Sequence, residues 1–216
     1  MRKLENWRFE VMDAKQVAFI TIMSALGLFL SAISLNIAPI FEVVGQGGAA
    51  LDLSHIATFV TAIFGGPFLG TIVGFLGGIY AGYYFGYVKG QLGLLSLIGV
   101  PFGKALTGFT AGLLYKKLRI NQSSRPSTFT VPIILLSYVP ECIYTIIYFR
   151  YLVPYFYGFA MEYMIPIVIS KAWVEITVMS LLMGALVGNS GFKEFASRIF
   201  AKTYATSKIK ASSKNG

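Results

Sequence analysis

Along this chain apolar residues gather in six runs, most of them long enough to cross a membrane, separated by short polar or basic stretches. The first run extends from Gln16 to Pro39, interrupted by little except Asn36. A polar segment from Ile40 to Leu51 follows, with Glu42, Gln46 and Gly47-Gly48. The second run, Leu53 to Phe64, is short: as a helix it reaches only about 18 Å. Asp52 or Ser54 can cap its start through a side-chain oxygen, and Gly65-Gly66-Pro67 ends it and opens the next helix. Its length predicts a helix tilted within protein or a locally thinned bilayer.

The third run has a glycine at every fourth position, Gly66, Gly70, Gly74, Gly78, Gly82 and Gly86. In water each interior glycine costs a helix about 0.8–1.0 kcal/mol relative to alanine. In lipid the backbone must satisfy itself, so the helix persists and the glycines become a groove for close approach. The row drifts by about 40° per step, which predicts a groove serving more than one neighbour. An aromatic cluster, Tyr80, Tyr83, Tyr84, Phe85 and Tyr87, closes this run and suits a membrane interface. The fourth run, Leu92 to Leu118, carries Gly99, Pro101 and Gly103, which predict a kink. The fifth, Phe129 to Phe149, contains Pro132 and Pro140 and leads into an aromatic outer loop from Tyr151 to Phe159. The sixth runs from Tyr163 to Val187 and stops at Gly188-Asn189.

Composition agrees with these runs. The 216 residues are 56% apolar and 12% charged, which describes one membrane domain, residues 1–204, and a basic disordered tail, residues 205–216. A single cysteine and a single histidine exclude a disulfide framework and leave no Cys/His metal cage. The net charge of +9 does not indicate nucleic acid, because fourteen of the eighteen Lys and Arg residues sit in three segments: the N-terminus up to Lys15, the loop from Lys116 to Arg125, and the C-terminal stretch from Lys193 to Lys214. The positive-inside rule produces that distribution. It predicts an all-α integral membrane protein, a compact bundle of six transmembrane helices with N- and C-termini cytoplasmic. No HExxH, GxSxG or phosphate-binding loop is present, so the sequence describes neither an enzyme nor a self-powered pump.

Four ionisable residues lie at membrane depth: Lys104, Glu141, Lys171 and Glu175. Each costs about 2.5–3.5 kcal/mol at a helix centre on insertion scales, so they should face protein or a water-filled cavity. Lys171 and Glu175 are four apart and can pair; Lys104 is matched with Glu141. Two internal ion pairs that fix helix packing would account for all four. The adjacent Pro101 and Pro140 favour a polar pocket opening outward instead, because broken helices commonly line substrate sites. Trp173 lies beside this face, where it could stack on a flat ligand, and Asp52 and His55 could reach across the mouth.

The stretch Leu51-Asp52-Leu53-Ser54-His55-Ile56-Ala57-Thr58-Phe59, with Gly65-Gly66-Pro67-Phe68-Leu69-Gly70 and Val73-Gly74, resembles the central signature of the substrate-binding S components of energy-coupling factor (ECF) transporters. The motif match covers about residues 51–86. The resemblance implies a subunit of a prokaryotic plasma membrane that binds a vitamin-like micronutrient from outside, in a pocket formed by the first outer loop and helices four to six. It also implies partners: a coupling transmembrane subunit and two cytoplasmic ATPases, approached through an AxxxA-type motif that Ala14 and Ala18 fit. Gln46, Asp52, His55, Lys104, Glu141, Lys171, Trp173 and Glu175 are the expected substrate contacts, and no cofactor is expected. These residues lack the dense aromatic and acidic set expected of a thiamine binder. Two lysines opposite two glutamates suit a zwitterionic or carboxylate-bearing ligand, or neutralise each other. The alternatives are a self-sufficient proton-coupled secondary transporter using Glu141 or Glu175, a membrane enzyme using His55 with Asp52, and a non-transporting assembly subunit.

Overall fold

The computed structural model describes residues 14–37, 52–90 and 92–199. Nine α-helices account for most of these residues, and no strand occurs among them. They are α1 (Ala14–Ile37), α2 (His55–Gly65), α3 (Pro67–Tyr83), α4 (Gly93–Lys117), α5 (Pro126–Ser137), α6 (Val139–Ile147), α7 (Val153–Tyr157), α8 (Met164–Gly188) and α9 (Ser190–Ile199). Five helical segments are long and apolar enough to cross a membrane: α1, α3 with its continuation to Val88, α4, the stretch Pro126–Tyr157, and α8. Their outward faces carry large apolar side chains such as Ile22, Phe29, Phe109, Val178 and Leu181. The second run is the exception in length: α2 has 11 residues, about half a hydrocarbon thickness.

Helix α2 can be short because protein surrounds it. It packs against α1, α3, α4 and α8, and all its residues are buried except Ile56 and the terminal Gly65. At its start the capping is divided. The Asp52 carboxylate accepts the Ser54 N–H at 3.0 Å, whereas the Ser54 hydroxyl makes no cap bond. At its end Gly66 adopts φ 90°, ψ −179°, a conformation essentially confined to glycine, which turns the chain into Pro67.

The glycine row of α3 serves two neighbours, as its drift predicts: a methyl group at Gly70 would meet the Ala62 Cβ of α2 at 2.7 Å and the Gly108 carbonyl oxygen of α4 at 2.8 Å, and the rest of the row follows α4. A methyl group added at Gly74 would fall 2.6 Å from the Lys104 carbonyl oxygen. At Gly78 it would meet the Pro101 Cα at 2.8 Å, and at Gly82 the Ser96 carbonyl oxygen at 2.7 Å. All three obstacles belong to α4. Rows of residues four apart are inclined to the helix axis, so a neighbour crossing at the matching angle follows the row instead of losing it. A separate glycine, Gly77, meets Gly27 of α1 on the other side.

Helix α4 continues through Pro101, and Gly99 and Gly103 make room for a neighbour. Gly99 abuts the Tyr148 ring and Gly103 abuts the Glu141 side chain, so these glycines admit α6 and the turn that follows it. The fifth run is broken at Tyr138, between α5 and α6. Pro140 has no N–H for the Leu136 carbonyl and its ring crowds that oxygen. The aromatic segment beyond is helical and not a loop: a π-helical turn, Tyr148–Leu152, leads into α7. Helix α8 ends at Gly188, where the sequence predicts a stop, and beyond Asn189 a separate helix, α9, begins. The Asn189 side-chain oxygen accepts the Phe192 N–H at 3.0 Å, capping α9. Phe192 then stands edge-on to Phe64. The basic tail, the first thirteen residues and the Gln46 loop lie outside the described residues.

Candidate functional site

Helices α4, α6 and α8 diverge around a partly open cavity of about 150 Å³, completed by the start of α2 and the end of α3. One wall is charged: Asp52, Lys104, Glu141, Lys171 and Glu175 all line it, together with His55. Much of the rest of the lining is aromatic, made by Phe85, Tyr138, Tyr144, Tyr148 and Phe149. The cavity therefore has the aromatic and acidic character that the sequence was not expected to supply. Two π-helical turns, Tyr84–Val88 and Tyr148–Leu152, deliver Phe85, Tyr148 and Phe149 to this wall. Such turns shift the register of a helix and recur at functional sites. They also change the reading of the aromatic cluster at the end of α3: Tyr83 and Tyr87 are exposed, Tyr84 is buried, and Phe85 faces the cavity.

Asp52 is the junction of the charged wall. Its carboxylate accepts hydrogen bonds from Lys104 Nζ of α4, the Ser31 hydroxyl of α1 at 3.3 Å, and the Ser54 N–H. Its own N–H donates to Glu175 Oε1 of α8 at 2.5 Å. Lys104 also donates to the Ser54 hydroxyl. The expected pairing of Lys104 with Glu141 is thus replaced by Lys104 with Asp52. The reason is position: Asp52 precedes α2 and hangs over the α3–α4 seam, where Lys104 emerges. The Lys171–Glu175 pair forms as its spacing predicts, at 3.2 Å. Glu141 instead accepts the Thr107 hydroxyl on Oε2, with His55 Nε2 at 3.9 Å from Oε1. His55, at 4% exposure, stacks on Phe59.

Trp173 does not line the cavity. It stands edge-on to Tyr138 with ring centroids 5.5 Å apart, behind the wall, and packs into the main core. Gln46 falls outside the described residues, whereas Ala14 and Ala18 lie exposed on α1. Among the described residues no cluster of three or more His, Cys, Asp or Glu side chains is arranged to hold a metal ion. Comparison with protein-family models, with curated proteins and with solved structures finds no match.

This geometry can hold a small molecule with a polar end and a flat apolar body. Asp52, Lys104, Lys171 and Glu175 are fixed by one another and Glu141 by Thr107, so little ordering is left for binding to impose. Sequence reasoning missed the aromatic half. Its signal was present, since Tyr144 and Tyr148 follow Glu141 at three and seven residues, the spacing of one helix face.

Proposed function

We propose that this chain is the substrate-capture subunit of an ATP-driven micronutrient importer of the energy-coupling factor type. It takes a vitamin or related small molecule from outside the cell and passes it to a coupling membrane subunit and two cytoplasmic ATPases. In this reading six segments cross the plasma membrane of a prokaryote, with α2 as the short one, and both termini are cytoplasmic. The chain binds and hands over its ligand without catalysing a reaction. The observation that carries the proposal is the cavity between α4, α6 and α8, lined by five charged side chains and five aromatic ones. The motif resemblance in residues 51–86 and the basic segments support the same reading.

Mass spectrometry of small molecules released by denaturing the purified protein tests it. A stoichiometric vitamin-like compound is expected from the wild type and not from the Lys171→Met, Glu175→Gln double variant. Repeated failure to find any compound, with protein from cells grown in rich medium, would remove the proposal. The division of labour is tested separately at Ala14 and Ala18, which leave α1 open to a closely approaching partner. Replacing both with leucine should abolish uptake by the assembled transporter while ligand binding by the isolated subunit stays unchanged.

One observation favours the alternative of a proton-coupled secondary transporter: Glu141 has no lysine or arginine within 4 Å among the described residues and sits beside His55. A carboxylate in that position can carry a proton. The alternative requires uptake by the reconstituted chain alone that collapses with the proton gradient. An enzyme built on Asp52 and His55 is less well supported, since Asp52 is committed to Lys104 and His55 meets Glu141.

A further inference from the structure

The charges lining the cavity are unequal in number and in how they are matched. Both lysines already hold a carboxylate, Lys104 with Asp52 and Lys171 with Glu175. The third carboxylate, Glu141, is not matched by a cation: Thr107 donates to its Oε2, and Oε1 has only His55 Nε2, at 3.9 Å, beyond hydrogen-bond range. Its side chain is 14% exposed, against 5% for Glu175 and 6% for Asp52. Glu141 Oε1 is therefore an acceptor in a low-dielectric wall without a donor, and such a group gains more from a charged hydrogen bond than one already satisfied.

The surfaces beside Glu141 favour the same sign of charge. Tyr144 and Tyr148 follow it along α6 and the π turn, their ring centroids 5.9 Å apart, and both line the cavity. Aromatic faces carry negative potential and attract cations. Lys171 already exploits this, with its Nζ 5.8 Å from the centroid of Phe85. An anionic ligand would meet two lysines already engaged and one carboxylate opposed to it. The volume of about 150 Å³ equals that of an engineered apolar cavity that takes one benzene.

The geometry points to a ligand that is a planar cation: a protonated amine or amino-substituted nitrogen heterocycle built on a single six-membered ring. Its N–H donates to Glu141 Oε1 and its ring lies against Tyr144 and Tyr148. This rests on the reading of the cavity as a ligand site, and it sets aside the zwitterionic or carboxylate-bearing ligand that the paired lysines and glutamates suggest in sequence.

The test uses the full chain in nanodiscs at neutral pH and four probes: benzylammonium, cyclohexylmethylammonium, benzyl alcohol and benzoate. Calorimetric titration should rank benzylammonium first and benzoate last. Glu141→Gln, which keeps the shape of the side chain, should weaken benzylammonium by about 10- to 100-fold, the value of a hydrogen bond to a charged group. Benzoate binding as tightly as benzylammonium overturns the inference on the wild-type protein alone, whether or not the variant folds. So does an unchanged benzylammonium affinity in Glu141→Gln. If an anion binds and an anionic compound copurifies, the capture-subunit reading stands and only the charge assignment falls. If no probe binds and nothing copurifies, both fall.

Discussion

Replacing Lys104 with methionine is expected to destabilise the folded chain by about 3–5 kcal/mol, the range found when one partner of a buried ion pair is removed. Lys104 is 4% exposed and donates to both Asp52 and Ser54. Without it the Asp52 carboxylate keeps the Ser31 hydroxyl and the Ser54 N–H but loses its cation, and Glu175 remains close by through the Asp52 N–H. Adding Asp52→Asn to the same chain removes the stranded charge and should recover most of the loss. The measurement is the unfolding midpoint of the single and double variants in the same detergent. A single variant as stable as the wild type, or a double variant no better than the single, would show that this pair does not hold α4 to the start of α2.

The second large effect is expected at Gly74. An alanine there places its methyl group 2.6 Å from the Lys104 carbonyl oxygen and 3.0 Å from the carbonyl carbon, both main-chain atoms of a packed helix. Neither can rotate away, so α3 and α4 must separate, at a cost of about 1–3 kcal/mol for overpacking. Gly77→Ala is the control on the same helix. Its methyl group would meet only Gly27, the Cα at 3.5 Å and the carbonyl carbon at 3.8 Å, both ordinary contacts. There the gain in helix propensity, about 0.8–1.0 kcal/mol, should leave the chain as stable as before or slightly more so. Thermal unfolding of the two variants side by side decides the matter, and indistinguishable midpoints would mean that the seam is looser than the structure describes. Because the obstructing carbonyl belongs to Lys104 itself, Gly74→Ala should also disturb the charged wall.

The long helices were legible in the sequence because lipid demands long apolar runs, and their limits fell within a few residues of α1, α4 and α8. The Lys171–Glu175 pair was legible for a local reason, a four-residue spacing on one helix. Lys104 and Asp52 are 52 residues apart on different elements, and no local rule joins them. Gly99 and Gly103 carried a signal between two helices, the close approach of Tyr148 and Glu141, that sequence reasoning along one helix did not read. Trp173 is a different kind of miss. At about 100° per residue it lies some 200° around α8 from Lys171, so the helical wheel alone turns it away from the face that Lys171 and Glu175 share. Tyr144 keeps the helical spacing from Glu141 and was legible, whereas Phe85 and Phe149 reach the cavity on π turns, whose extra residue resets the register without warning in the sequence periodicity.

The burial of α2 also dictates an order of assembly. As the chain is made, α1, α2 and α3 are complete before the residues that satisfy the start of α2 exist. Asp52 waits for Lys104 to gain its cation, and its N–H waits for Glu175, which is made more than a hundred residues later. An eleven-residue helix preceded by an unpaired carboxylate has little reason to enter lipid alone. The contacts that satisfy the start of α2 are therefore complete only once α4 and α8 are in place, and the cavity that Asp52, Lys104 and Glu175 line is complete only then as well.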